Sequence, residues 1–233
     1  MFSETANFNV SDISIGPGLK IDPLVHVSNA KISETAWTAR PDFWVLPFLD
    51  LYGILGHVSG HGDIELRPGF FPFRSHGPNY DLKLDYEGPT VGFGGTLAAG
   101  FKPIEGRSTI LFGLADLNFT RTYLDFHNVV SYLPGVDVMV FSPRLGVRER
   151  IVEKSPLGEM YLSFWGGCMY QRVQEVMTGS VAGLVDFRAD VDAVNPWNTL
   201  VGGRLEIGKN TVFTIESGFG DRKSLMLELM IRF

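Results

Sequence analysis

Hydrophobic and polar residues alternate with a period of two along much of the chain. The last ten residues show it most plainly. Leu225, Leu227, Leu229, Ile231 and Phe233 interleave with Met226, Glu228, Met230 and Arg232. In an extended strand, successive side chains point to opposite faces, so one face here is wholly apolar and the other carries charge. The same period returns over 90–102, where Val91, Phe93, Gly95, Leu97, Ala99 and Phe101 oppose Thr90, Gly92, Gly94, Thr96, Ala98, Gly100 and Lys102. Over 109–126, Leu111, Gly113, Ala115, Leu117 and Phe119 oppose Asp116, Asn118, Thr120 and Thr122. Over 138–150, Met139, Phe141, Pro143, Leu145 and Val147 oppose Ser142, Arg144, Gly146, Arg148 and Arg150. Gly203, Leu205 and Ile207 oppose Arg204 and Glu206, and Phe213, Ile215 and Phe219 oppose Thr214 and Glu216.

The N-terminal part follows less cleanly. Ala39, Pro41, Phe43 and Val45 oppose Arg40, Asp42 and Trp44. After Pro47–Asp50, an apolar row of Tyr52, Ile54 and Val58 opposes Gly53, His57, Ser59 and His61. Between Met160 and Glu175 two rows compete for the apolar face: Leu162, Phe164 and Tyr170 against Ser163, Trp165 and Met169. Segment 17–31 alternates little, and residues 1–22 are expected to form an extension or plug ahead of a main unit at 23–233.

The final strand, with its alternation and terminal aromatic residue, resembles that of the Gram-negative outer-membrane β-barrel proteins. The stretch from Asn195-Pro-Trp-Asn198 to Ser224 is similar to their closing hairpins. One departure is Ile231, where that group often carries Tyr. The resemblance implies an all-β fold, a closed antiparallel transmembrane barrel. It makes Phe233 the signal read by the barrel-assembly machinery, with membrane lipids and lipopolysaccharide as surroundings. Segments of about ten alternating residues between turns fit that template, and counting them gives about ten strands, or twelve if the connection 67–88 or 177–196 hides a hairpin. With the C-terminus in the periplasm, the short connections 47–50, 103–107, 152–158 and 208–210 fall on the periplasmic side. The longer ones, at 67–88, 127–135 and 177–196, fall outside, together with the tight turn Gly220–Lys223. Phe70, Phe71 and Phe73 would then meet the outer interface, where aromatic belts form.

Composition narrows the alternatives. The 233 residues are 45% hydrophobic and carry a net charge of -6, with 27 glycines and 13 prolines, which argues against disorder and for many turns. The acidic balance argues against nucleic acid, which requires a basic face. A lone Cys168 rules out an internal disulfide or a multi-cysteine metal site. There is no apolar run of about 18 residues for a helical span, and MFSETANFNV lacks a basic region followed by an apolar one, so a secretory signal is not expected within this chain. A soluble β-barrel would also alternate. Its charged face would meet water, however, whereas the charged rows here are rich in Gly and Ala, which suits a crowded lumen.

The candidate chemistry therefore lies on the inner face. Arg40, Asp42, His57, Lys102, Asp116 and Asn118 line it, followed by Arg144, Arg148, Arg150, Arg204, Glu206, Glu216, Glu228 and Arg232. The lipid face is formed by Val91, Phe93, Leu97, Phe101, Leu117, Phe119, Phe141 and Leu145, then Leu205, Phe213, Ile215, Leu225, Leu227, Leu229 and Ile231. Interior ions at this density must pair, because an isolated buried charge is very costly. The lumen is accordingly either a salt-bridged hydrated plug or a narrow porin-like path in which Arg144, Arg148 and Arg150 favour anions. The first makes the protein a scaffold among envelope proteins, the second a passive transport channel. His57-Val58-Ser59 resembles the His-x-Ser pair of outer-membrane acyl hydrolases, which would give a general base and a nucleophile; an inward orientation and the lack of an assignable third residue weigh against it. His57, His61 and Asp63 read as a polar strand end rather than a metal site, and no cofactor is expected. Trp37, Trp44, Trp165 and Trp197 read as interface anchors.

Overall fold

The computed structural model describes residues 1–15, 19–20, 25–68, 80–126, 135–181, 185–193 and 195–232, with side chains described over 1–6, 31–63, 83–125, 135–173 and 195–232. The strands are β1 (Phe2–Ile15), β2 (Leu19–Lys20), β3 (Val25–Ala39), β4 (Asp42–Leu46), β5 (Leu49–Pro68), β6 (Tyr80–Phe101) and β7 (Ile110–Thr122). There follow β8 (Asp125–Phe126), β9 (Val136–Val152), β10 (Met160–Val181), β11 (Val185–Ala193), β12 (Trp197–Ile207), β13 (Thr211–Phe219) and β14 (Lys223–Ile231).

Ten of them form a closed antiparallel wall in the order β1, β3, β5, β6, β7, β9, β10, β12, β13, β14, and β14 returns to β1. β4 continues the line of β3 past Arg40–Pro41, and β8 continues that of β7; both stay on the neighbour their parent strand already has. β11 folds back on β10 and pairs with the far half of β1, so it fills the wall above the shorter β12–β14. One rim carries the short turns at 47–48, 102–109, 153–159 and 208–210. The other carries the tight turn at 220–222.

The alternation decides which side chains face out. Phe93 is 65% exposed and Leu145 75% exposed, and Phe101, Phe213, Ile215, Leu229 and Ile231 are similarly open, while Ser163 and Val212 between the same strands are buried. So extended an exposed apolar surface is not tolerated in water, so its solvent is hydrocarbon. On β6 the apolar row runs from Val91 to Phe101. At about 3.3 Å per residue and a tilt near 40°, that is a band of roughly 25 Å, the height of a transmembrane barrel's apolar belt. The chain is a transmembrane β-barrel.

Four expectations need correction. First, the face of β5 is reversed: Tyr52 and Val58 point inward and are buried, Val58 with Ala36 and Tyr86, while Leu51 and Leu55 point outward. His57, Ser59 and His61 consequently lie on the outer face, with His57 opposite the exposed Trp37. Both rows of β5 contain apolar residues, so alternation alone had two solutions. The outward row also turns polar where the strand leaves the hydrocarbon. Second, Trp165 is buried inside the barrel rather than anchored at an interface, and Leu162, Phe164 and Tyr170 take the outer face of β10. Third, within the expected extension or plug at 1–22, Phe2–Ile15 is a wall strand. Fourth, β5, β6 and β10 reach further than expected, into 67–68, 80–88 and 177–181, and β11 adds a strand at Val185–Ala193. Phe70, Phe71, Phe73 and Phe233 lie outside the described residues.

Candidate lumen site

Two inward aromatic rings face glycines directly across the ladder. Tyr52 pairs with Gly94, and Trp165 with both Gly146 and Gly202. A Cβ built on Gly94 would stand 2.5 Å from the Tyr52 ring, and one on Gly202 would overlap the Trp165 indole. The small residues of the charged rows thus make room for rings laid flat on the neighbouring strand, a close approach no other residue allows.

These rings carry the polar groups of the waist. The Tyr52 hydroxyl lies 2.9 and 2.8 Å from the two carboxylate oxygens of Asp116, on β7. Thr96 donates to the same carboxylate at 2.7 Å and Asn118 at 3.1 Å. Arg40 stacks over the Tyr52 ring at 3.4 Å, donates to Thr96 at 3.2 Å, and sits 3.7 Å from Asp116 and 3.8 Å from Asp50. Facing this group, Arg144 of β9 reaches past two intervening strands to grip Glu216 of β13 with a two-pronged fork, 2.6 and 2.7 Å. The Trp165 indole donates to the same Glu216 at 2.6 Å. Asp116 and Arg144 stand on neighbouring strands, Asp116 opposite Ser142 and Leu114 opposite Arg144.

Toward the short-turn rim, Arg148 forks onto Glu206 at 2.9 and 2.9 Å and lies over the Tyr161 ring. Arg204 stands 3.8 Å from Glu228 and donates to Thr214 at 3.2 Å. Arg150 pairs with Glu159 at 3.3 Å and Glu153 at 3.5 Å. Near the opposite rim, Arg222 and Glu4 form a buried pair at 3.5 Å. Asp42, Lys102 and Arg232 are exposed at the short-turn end and make no side-chain bond among the described residues.

Alternation placed Asp116, Asn118, Arg144, Arg148, Arg150, Arg204, Glu206, Glu216 and Glu228 on this inner network. The sequence pattern places Tyr52 and Trp165 outside it, and Glu4 and Arg222 in an extension and a turn. The signal for the first two was present in the sequence as glycines on the adjoining strands. Chemically the arrangement offers fixed charges of both signs on the inner face, with Arg144, Glu216, Trp165 and Tyr52 among the groups that carry them or bond to them. Among the described residues no group of three or more His, Cys, Asp or Glu is placed to hold a metal ion.

On the outer face beyond the apolar band, His61 bridges Asp85 at 2.6 Å and Asp63 at 3.1 Å. The Asp85 hydrogen bond, and then that of Asp63, raises the His61 pKa above its usual 6.5. His57 lies 3.7 Å from Glu87. No hydrogen bond joins His57 to Ser59.

Among solved structures, the chain is similar to the outer membrane protein OprG from Pseudomonas aeruginosa, with 14% identity and a TM-score of 0.44, over 96% of this chain and 91% of that one. It is also similar to the transport unit of the autotransporter AIDA-I from Escherichia coli, with 10% identity and a TM-score of 0.36, over 100% and 90%. No protein-family model and no curated protein matches the sequence. Likenesses this distant do not speak for function, and the barrel stands on its own strand ladder.

Proposed function

We propose that the protein is a narrow passive channel of a Gram-negative outer membrane, closed at the Arg144–Glu216 waist in the conformation described. The observation that carries this reading is the continuity of fixed charge along the axis. It steps from Glu4–Arg222 at one rim, through Asp116, Arg144 and Glu216, to Arg148, Arg204 and Arg150 at the other. Charges held by cross-barrel hydrogen bonds can pass a small hydrated ion only when a pair parts, so transit is gated by breaking the fork. In planar bilayers, the wild type is expected to show small, brief openings, while Glu216→Ala and Trp165→Ala open the waist and raise the conductance. A barrel silent in all three forms would be a scaffold rather than a channel. Heat-dependent migration on an SDS gel checks the membrane-barrel state independently.

A second reading is favoured by the outward turn of β5. His57 and Ser59 share one outer face just beyond the apolar band, where lipid head groups lie, and Glu87 stands beside His57. There His57 would act as general base and Ser59 as nucleophile toward a lipid ester. Release of fatty acid from phospholipid or lipid A by the wild type, lost in Ser59→Ala, supports it; no release by the wild type removes it.

A further inference from the structure

The barrel wall changes its number of strands near the rim that carries the turn 220–222. β10 pairs with β12 as far as Tyr170 against Trp197, and takes up β11 from Glu175 against Val191. β1 pairs with β14 as far as Thr5 against Lys223, and takes up β11 from Phe8 against Ala193. From β10 to β1 the wall is therefore four strand spacings wide along β12–β14 and two along β11, about 19 Å and about 10 Å. The step between the two widths is filled by residues 195–196 and the turn 220–222, which belong to no ladder. Outside it, the edge-on rings of Tyr170 and Trp197 mark the level of the membrane interface.

Few bonds hold the step closed. The Gln171 N–H donates to the Pro196 carbonyl at 2.8 Å, Asn195 donates to Asp221 at 2.8 Å, and Arg222 donates to the Pro196 carbonyl at 3.3 Å. Arg222 reaches inward from the turn and is buried, with Nη1 3.5 Å from Glu4 and no hydrogen bond between them. Asn198 and Ser224 lie beside it around Gly218, where a Cβ would overlap both side chains. Six buried side-chain polar atoms lack a hydrogen bond among the described residues, and five of them are here: Nε and Nη1 of Arg222, Oε2 of Glu4, and both amide atoms of Asn198. Asp50 holds the sixth. A buried donor or acceptor left unmet is costly, and here that cost falls on the closed turn. Moving the turn outward lets water meet these atoms at the loss of few hydrogen bonds, and Gly220, at a φ of 145° that favours glycine, stands at its start.

We propose that Arg222 is the latch of a side port, closed by the turn 220–222, through which small hydrogen-bonding solutes enter the lumen at the membrane interface. The lining supplies a guanidinium, a carboxylate, an amide and the Ser224 hydroxyl, so donors and acceptors of both signs meet the solute as the turn parts. An acyl chain would satisfy none of them. Onward passage past Arg144 and Glu216 rests on the channel reading; the opening of the port does not.

The test is alkylation of single cysteines in the folded protein in detergent micelles by iodoacetamide, a small neutral solute, with Cys168→Ala removing the native thiol. Ser224→Cys reports the port. Ser163→Cys, buried on β10 and toward the short-turn rim from Trp165, reports the lumen beyond it. Residue 224 should be alkylated, and Arg222→Gln should speed that by about tenfold or more, with Arg222→Lys closer to the native rate and residue 163 unchanged by either. No alkylation at residue 224 in any form, the same rate with and without Arg222, or equal acceleration at residue 163 overturns the proposal. Hydrogen exchange on the unmutated protein guards against a variant that fails to fold. Backbone amides of Lys223–Met226 should exchange about tenfold or more faster than those of Val212–Ile215 on the neighbouring strand, and equal rates also overturn the port. A port that opens in a barrel carrying no current would leave the latch standing and remove the channel reading.

Discussion

Two arginine–carboxylate forks in this barrel have nearly the same geometry and opposite surroundings. Arg144 grips Glu216 at 2.6 and 2.7 Å, with side chains 13% and 6% exposed. Arg121 grips Asp137 at 2.7 and 2.5 Å, with side chains 53% and 45% exposed. The first links strands across the lumen at membrane depth, and the second links neighbouring strands on the outer face beyond the apolar band. Bond length therefore says little about importance. What differs is the fate of the surviving partner when one side is removed, because water receives the exposed ion and nothing receives the buried one.

The sharpest way to break the comparison is Glu216→Gln. It leaves Arg144 buried with a neutral partner and takes a charged acceptor from Trp165, so unfolding in micelles should show a loss of about 3–5 kcal/mol. A loss below 1 kcal/mol would mean that water reaches the waist. Next is the outer surface: Leu227→Arg puts a charge against lipid and should cost about 2–4 kcal/mol near the midplane, with folded yield as the readout. Glu228→Gln, one residue along and inward, should be tolerated better, and the reverse order would mean that the faces are exchanged. Tyr52→Phe removes one donor to Asp116 while keeping the ring on Gly94, so a loss of about 1.5–3 kcal/mol is expected. Asp137→Asn should leave the unfolding midpoint unchanged, and any small effect should vanish with added salt.

The smallest effect is pH-dependent and confined to the outer extension. His61 is held above its ordinary 6.5 by Asp85 and then Asp63, so its protonated form is the one the folded strands favour. That contribution is complete below the unfolded value and disappears as pH rises through the folded value. Amide exchange in the β5–β6 extension should accelerate as pH rises from mildly acid to mildly alkaline, after correction for the intrinsic rate. His61→Ala should remove the pH dependence and leave the waist untouched.

The outward rows of β6, β7, β9, β13 and β14 were legible in the sequence because only one of their two faces is apolar throughout. In β5, Leu51 and Leu55 compete with Tyr52 and Val58, and the choice was made by the ladder to β6, which sets Tyr52 over Gly94 and within reach of Asp116. The charged residues were legible as a set but not as pairs. Arg144 passes over two strands to find Glu216, a partner 72 positions away in the chain.

The sequence by itself determined which solvent each face of most strands meets, because side-chain polarity at every second position is a local property. It also determined that the interior must hold charge of both signs. Only the tertiary structure decided which arginine meets which carboxylate, and that the rings of Tyr52 and Trp165 lie inward over glycines of the neighbouring strands. Those depend on strand order, register and closure, which bring together atoms that no local pattern relates.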